Sequence, residues 1–284
     1  MNETLKDSIL LLVGHGSTID AQASEVVKEC VRIFQESKRF LEVSEAYWIV
    51  EPRLSEVLAN IDHAHIIVMP MLTCSGYFSE QRIPIELGLK KHPDEAFERS
   101  QVIGDRQITY CRPVGEHHGM ARILQNQAEK VIERYPFPAI PNPEKTSLFI
   151  VAHGTKKDSN SRKTAEKLVI SLKHQSTFGQ VQALFLDESP GVEEYIDMAS
   201  YSNIVVVPFF IGGGPHTTTD IPILMGESER TVKKRLNAGQ PPWRNPCSRR
   251  GKRIWYAECF GVHPEIPSMI LDQIEDAIPR FDSG

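Results

Sequence analysis

The chain has 284 residues, and its 40% hydrophobic and 24% charged content is typical of a globular protein with one large or two ordinary domains. The net charge of -5 gives no case for nonspecific nucleic-acid binding, and no apolar run exceeds strand length, so we expect neither a nucleic-acid nor a membrane partner. The first residues lack a signal-peptide layout, and the five scattered cysteines form no Cys-x-x-Cys motif. These features favour a cytoplasmic protein without an iron–sulfur cluster or structural zinc.

Apolar patterns predict that strands and helices alternate along the chain. In the first half, the predicted strands are 9–13, 46–50, 66–69 and 108–111, and the predicted helices are 26–34, 54–61 and 120–132. In the second half, the predicted strands are 148–151, 182–186, 204–207 and 253–257, and the predicted helices are 161–172, 192–198 and 267–277. Because the strands are mostly uninterrupted apolar runs joined by helices, we expect an α/β fold with parallel sheets covered on both faces.

One sequence pattern occurs in both halves. A strand-forming run ends in His15-Gly16-Ser17 and again in His153-Gly154-Thr155. A later strand ends in Pro70 in the first half and in Pro208 in the second, and an Ile-Pro pair follows each at the same distance. Repetition over so long a period indicates duplicated domains rather than a solenoid.

A proline-rich linker separates the two copies. Four prolines within residues 135–143 cannot continue a helix and favour a stiff, extended spacer. We therefore predict an N-terminal domain at 1–141 and a C-terminal domain at 142–284. The second copy has about eight extra residues, within a basic stretch at 230–253 that we expect to be irregular and more often a solvated loop than a binding patch.

A glycine-rich loop in the second half carries the most distinctive residues. Gly212, Gly213 and Gly214 follow a predicted strand and precede His216, and Asp220 then opens a predicted helix. His153 follows the first strand of the same half. If those strands are neighbours, the two imidazoles converge, and neutral imidazole binds divalent transition metals and accepts protons near neutral pH.

These residues resemble those of the CbiX/SirB family. The resemblance rests on a strand ending in His-Gly-Ser/Thr, on the run from Gly214 through His216 to Pro222, and on a later Gly-x-His-Pro. It covers nearly the whole chain as two tandem family domains. It implies two flavodoxin-like chelatase domains facing a cleft, and a class II chelatase that inserts a divalent metal into sirohydrochlorin.

The resemblance also assigns candidate site residues. The metal ligands and bases of the family correspond to His153 and His216, whereas the first half has His15 but Phe78 and Arg82 where the second has His216 and Asp220. The resemblance thus implies that the second half is catalytic. His15 and Asp220 are secondary candidates.

Acidic and basic side chains are expected to assist. An acid near the histidines, either Asp187 or Glu188, would collect protons and attract the metal. Because sirohydrochlorin is polycarboxylated, basic residues should contact it. The candidates are Lys156, Lys157, Arg162, Arg82 and the basic stretch, and the sequence does not choose among them.

The resulting prediction is a two-domain lyase-type chelatase, without a permanently bound cofactor, whose substrates are Co²⁺, Fe²⁺ or Ni²⁺ and a sirohydrochlorin-like tetrapyrrole, in cobalamin or sirohaem synthesis. The alternative is a metal or tetrapyrrole carrier or sensor that does not catalyse. A tandem duplication can replace a homodimer, so we expect a monomer. A P-loop, a Rossmann fingerprint and a Gly-x-Ser-x-Gly elbow are absent from the sequence.

Overall fold

The structure is a computed structural model that describes residues 3–18, 22–155 and 159–278. It divides into two compact units, one formed by Met1–His117 with Val262–Gly284 and the other by His118–Gly261. Within the described residues of the first half, the elements are α1 (Glu3–Lys6), β1 (Ile9–Gly14), α2 (Gln22–Ser37), β2 (Glu42–Tyr47), α3 (Leu54–Asn60), β3 (His65–Met71), α4 (Ile83–Glu86), β4 (Ser100–Ile103), β5 (Arg106–Tyr110) and α5 (Met120–Arg134). Those of the second half are β6 (Thr146–Ala152), α6 (Asn160–Gln175), β7 (Gln180–Phe185), α7 (Tyr195–Met198), β8 (Asn203–Pro208), α8 (Ile221–Leu224), α9 (Glu229–Asn237), β9 (Cys247–Arg249), β10 (Lys252–Tyr256) and α10 (Ile266–Ala277).

Each unit contains one five-stranded sheet, and the two sheets have the same topology. The strand orders are β2-β1-β3-β5-β4 and β7-β6-β8-β10-β9. Four strands of each sheet are parallel, and the fifth pairs antiparallel with its hairpin partner at one edge. The predicted fold class, two tandem α/β domains with helix-flanked parallel sheets, is confirmed.

The central strands form the cores. Every residue of β1, β6 and β8 is buried, as parallel strands covered on both faces require. The edge strand β2 has polar residues on its exposed face, so the apolar pattern detected only its end and shifted the predicted strand to 46–50. The short antiparallel strands β4 and β9 are half exposed and were not predicted, because they lack an apolar run.

Each half of the chain contributes its final helix to the unit that contains the other half's sheet. Helix α5 follows the strands of the first half but packs against β8, β10 and α6 in the second unit. Helix α10 follows β10 but packs against α2 and β3 in the first unit. The buried face of each helix therefore completes a sheet built by the other half of the chain. The predicted boundary between the two sequence repeats, at 141/142, stays a prediction. The compact units of the structure divide the chain at other places, after His117 and after Gly261.

The basic stretch at 230–253 is ordered rather than irregular. It contains most of α9, which Ser228 caps by accepting a hydrogen bond from the Thr231 amide at 3.1 Å, and the β9–β10 hairpin. Several of its cations are paired locally. Arg249 lies 2.6 Å from Glu227, and Arg250 lies 3.1 Å from Asp197. These pairings indicate a structural role for much of the positive charge.

No helix within the described ranges is long and apolar enough to cross a membrane.

Replacing Ile270 by alanine should lower the free energy of unfolding by about 2–5 kcal/mol, because its side chain is fully buried in α10. The matched control is Ile170→Ala in α6, where the side chain is 55% exposed and the loss should stay within about 0.5 kcal/mol. Urea denaturation followed by circular dichroism measures both. Equal losses in the two variants would contradict the burial of Ile270 in the core.

Candidate metal centre

The second sheet brings two histidine-bearing segments to one edge. Strands β6 and β8 are parallel neighbours, with Val151 paired to Pro208 in register. His153 directly follows β6, and the glycine-rich loop directly follows β8. Because parallel strands end at the same edge of a sheet, His153 and His216 meet there, where open α/β sheets place ligands. Their ring centroids are 5.1 Å apart and the rings are nearly perpendicular, at 84°.

A π-helical turn positions His216. Residues His216–Asp220 form this turn, and the Ile221 amide donates to the His216 carbonyl five residues earlier. Such wide turns are rare and occur frequently at functional sites. The turn is anchored from the next strand, because the buried Tyr256 hydroxyl donates to the Thr217 carbonyl at 2.7 Å. Burial raises the pKa of Tyr256 well above its usual value, so this hydroxyl stays a donor.

Hydrogen bonds at Nδ1 leave Nε2 of both histidines available. His153 Nδ1 lies 2.8 Å from the Gly154 carbonyl, which can only accept, so neutral His153 carries its proton on Nδ1. His216 Nδ1 lies 2.7 Å from the Asp220 carboxylate, which fixes the same tautomer when that acid is ionised. A carboxylate behind a metal-binding imidazole orients the ring and raises its basicity. Both Nε2 lone pairs can therefore serve a metal or take up a proton.

The structure distinguishes the two candidate acids. Asp187 Oδ2 lies 3.3 Å from His153 Nδ1, and its side chain is 58% exposed. Glu188 is only 16% exposed and lies 2.9 Å from the Arg162 guanidinium. The two consecutive carboxylates thus have different surroundings, and Asp187 is the one beside the histidine pair.

Glu188 and Arg162 together brace the loop around His153. The Arg162 guanidinium donates to Glu188 and, at 2.5 Å, to the Ser189 carbonyl, and it lies 4.3 Å from the centroid of the Phe185 ring. Hydrogen bonding to Glu188 raises the pKa of Arg162, so the guanidinium stays charged. Gly154, with a φ of +66°, approaches this pair so closely that a Cβ would lie 2.8 Å from Glu188 Oε1. The contacts of Glu188 and Arg162 are therefore those of a loop support.

The histidine pair is open to solvent. The side chains of His153 and His216 are each nearly half exposed, and so is Asp220. No group of three or more potential histidine, cysteine or carboxylate ligands occurs among the residues described. Two imidazoles would leave most coordination positions of a metal free, which is typical of sites that react rather than sites that hold structural metals.

The equivalent place in the first unit has the same backbone but different chemistry. Tyr77–Arg82 is again a π-helical turn, and the Tyr110 hydroxyl anchors it at the Ser79 carbonyl. His15 follows β1, and its ring makes an edge contact with Phe78 at a centroid distance of 4.4 Å. Phe78 occupies the position of His216, and Ile49 and Val50 replace the two acids. This arrangement offers a metal one imidazole instead of two.

The predicted site residues fall into three groups in the structure. Lys156 and Lys157 lie outside the described residues. The structure brings His153, His216, Asp187 and Asp220 together and engages Arg162 with Glu188. Tyr256 was missed by the sequence reasoning. The sequence does contain a pattern that points to Tyr256, because Ile-x-Tyr occurs at the end of both β5 and β10. A repeated tyrosine in a strand does not, however, reveal which group its hydroxyl binds.

The structure thus defines a duplicated α/β protein with a solvent-exposed imidazole pair at the carboxyl edge of its second sheet. The CbiX family model matches residues 9–131 and 147–277, so the chain belongs to the CbiX family. It is 32% identical over 280 residues to a probable sirohydrochlorin cobaltochelatase of Halobacterium salinarum, covering 94% of this chain and 91% of that protein.

Solved structures share the fold, among them the following two. A multi-domain Deinococcus radiodurans protein with structural similarity to chelatases matches with a TM-score of 0.72 at 23% identity, over 98% of this chain and 56% of that one. Bacillus subtilis SirB with Fe³⁺ matches with a TM-score of 0.64 at 17% identity, over 95% of each chain.

Replacing Tyr256 by phenylalanine should weaken Co²⁺ binding, because the π-helical turn that carries His216 loses its anchor. The Thr217 carbonyl would also lose its partner, and we expect a drop of about 1–3 kcal/mol in the free energy of unfolding. Tyr110→Phe is the matched control: it should destabilise similarly but leave Co²⁺ affinity unchanged. Calorimetric titration and urea denaturation test this, and equal Co²⁺ affinities in both variants would contradict the anchoring role.

Proposed function

We propose that this protein is a lyase-type chelatase that inserts Co²⁺ or Fe²⁺ into sirohydrochlorin. The observation that carries the proposal is the exposed pair of imidazoles, His153 and His216, with both Nδ1 atoms engaged and both Nε2 atoms available. Membership of the CbiX family and the name of the Halobacterium relative support the same reaction. The metal ion is a substrate here and leaves with the product.

The reaction exchanges two protons for one metal ion. The macrocycle loses two pyrrole N–H protons, its nitrogens bind the divalent metal, and the metal leaves its protein ligands. His153 and His216 would hold the ion through Nε2 and, once it has moved, accept the protons at the same atoms. Because only two protein groups hold the metal, its transfer to the macrocyclic nitrogens breaks few bonds.

The nearby carboxylates support both roles. Asp220 behind His216 and Asp187 beside His153 would stabilise the imidazolium that forms when each ring takes a proton. Their negative charge would also attract the incoming dication. Glu188 and Arg162 would act by holding the loop rather than by touching the macrocycle.

Because imidazole binds cobalt, iron and nickel alike, all three divalent ions are candidate substrates. The Halobacterium relative is named for cobalt, and the Bacillus structure contains Fe³⁺.

We also propose a monomer in the cytoplasm. The five free cysteines fit a reducing compartment, and gel filtration tests the oligomeric state.

Replacing either His153 or His216 by alanine should reduce the rate of metal insertion at least a hundredfold, since each supplies a metal ligand and a base. Anaerobic visible spectroscopy of sirohydrochlorin with Co²⁺, and then with Fe²⁺ and Ni²⁺, measures the rate. His174→Ala, on the exposed end of α6, is the control and should behave like the wild type. Spectral shifts on binding without faster metallation would indicate a carrier or sensor instead.

Substitutions of the adjacent acids Asp187 and Glu188 should have different effects. Asp187→Asn should lower the metallation rate by about 10–100-fold with little loss of stability, because the exposed carboxylate acts on His153. Glu188→Gln should instead lower the free energy of unfolding by about 1–2 kcal/mol, because it weakens the partly buried pair with Arg162. Metallation kinetics and urea denaturation measure the two effects, and the reverse pattern would assign the catalytic acid to Glu188.

A further inference from the structure

The imidazole of His216 has a phenyl ring beside it, on the loop that follows β8. The ring centroids of Phe210 and His216 lie 5.8 Å apart, with 41° between the ring planes. The other ring against His216 is that of His153, at a centroid distance of 5.1 Å. Because a phenyl ring has no donor atom for a metal, the contact of Phe210 with His216 concerns the position of the imidazole rather than coordination.

The Phe210 ring is itself held by the core of the second unit. Its side chain is half-buried and packs against the apolar cluster that includes Ile221 and Tyr256. The preceding residue, Phe209, is buried, and its ring packs against Phe260 instead. The two consecutive phenylalanines therefore have different neighbours. Since protein cores are close-packed and have low compressibility, Phe210 is a firm support for the ring that lies against it.

Phe210 and Asp220 restrict the His216 imidazole in different ways. The Asp220 carboxylate lies 2.7 Å from Nδ1 and fixes that atom, but a ring held at one atom can still rotate about it. A packed phenyl ring limits this rotation by steric exclusion. It also keeps water from part of the imidazole, and the apolar shell of a metal site controls solvent access. Together the two contacts hold Nε2 in one direction, so less conformational freedom is lost when a metal binds.

The equivalent position of the first unit is apolar but not aromatic. Leu72 corresponds to Phe210, and Phe78 corresponds to His216. Leu72 packs against the apolar cluster of its own unit, as Phe210 does in the second. An aliphatic side chain is therefore sufficient to cover the core at this place. The ring of Phe210 is present in the unit whose turn carries an imidazole.

We propose that Phe210 is a positioning residue for metal insertion: its ring holds the His216 imidazole so that Nε2 keeps the direction in which it binds the divalent metal and then accepts a proton. The proposal rests on the proposed function for the reaction, whereas its effect on metal binding follows from the contacts alone. Phe210 acts only through His216 and contacts neither the metal nor the macrocycle in this role.

The first test measures Co²⁺ binding by calorimetric titration. Phe210→Leu, which introduces the residue of the first unit, should weaken Co²⁺ binding about tenfold. Phe210→Tyr keeps the ring and should stay within about twofold of the wild type. The visible absorption of bound Co²⁺, which depends on its coordination geometry, should change in Phe210→Leu and not in Phe210→Tyr. Phe209→Leu is the matched control: it should lower stability in urea denaturation but leave Co²⁺ affinity unchanged, because its ring packs on Phe260.

A double variant tests whether Phe210 acts through His216. Phe210→Leu should cause no further loss of Co²⁺ affinity when it is added to His216→Ala, because the group that it positions is already absent. The same loss in the presence and absence of His216 would overturn the proposal.

Metallation of sirohydrochlorin gives an independent readout. Phe210→Leu should raise KM for Co²⁺ about tenfold and lower kcat, because metal binding and proton uptake both use Nε2, while KM for the tetrapyrrole stays at the wild-type value. Wild-type Co²⁺ affinity in Phe210→Leu, or equal losses in Phe210→Tyr or Phe209→Leu, would overturn the positioning role and leave a chelatase intact. If the wild type does not metallate sirohydrochlorin but Co²⁺ affinity falls in Phe210→Leu and recovers in Phe210→Tyr, the proposed function fails and the positioning of His216 stands.

Discussion

The parallel pairing of β6 with β8 is the constraint on which the candidate centre depends. Two parallel strands in register end at one edge of the sheet, so the residues that follow β6 lie beside the loop that follows β8. His153 and His216 are 63 residues apart in sequence, yet this pairing leaves their rings 5.1 Å apart. The first unit obeys the same constraint through β1 and β3, which is why His15 meets Phe78. The sheet fixes where the two sites lie, and the side chains on the loops decide their chemistry.

The π-helical turns show how one backbone supports two chemistries. In both units a tyrosine from the strand beside β3 or β8 donates its hydroxyl to a carbonyl of the turn at 2.7 Å. A buried carbonyl without a partner would be costly, so this bond ties the turn to the core independently of its exposed residues. The exposed positions were therefore free to diverge. In the second unit they carry an imidazole backed by a carboxylate, and in the first they carry a phenyl ring and a guanidinium.

The exchange of α5 and α10 explains why the duplicated halves need not fold as independent copies. Each helix contributes a predominantly apolar buried face to the unit assembled from the other half of the chain. Burial of this kind supplies most of the stability of a helix in a globular protein. Loss of either half of the chain would remove a core element from both units.

The sequence by itself determined the duplication, the alternation of strands and helices, and the His153, His216 and Asp220 pattern, because apolar periodicity and motif spacing are properties of the chain. The tertiary structure alone decided that Asp187 rather than Glu188 lies beside the histidines, since neighbouring carboxylates differ only in what surrounds them. It likewise decided that Arg162 pairs with Glu188, whereas Arg82 lies over the Trp48 ring. It also placed the last helix of each half in the unit that contains the other half's sheet. Contacts between residues that are distant in sequence determine these features, so the spacing of residues along the chain does not reveal them.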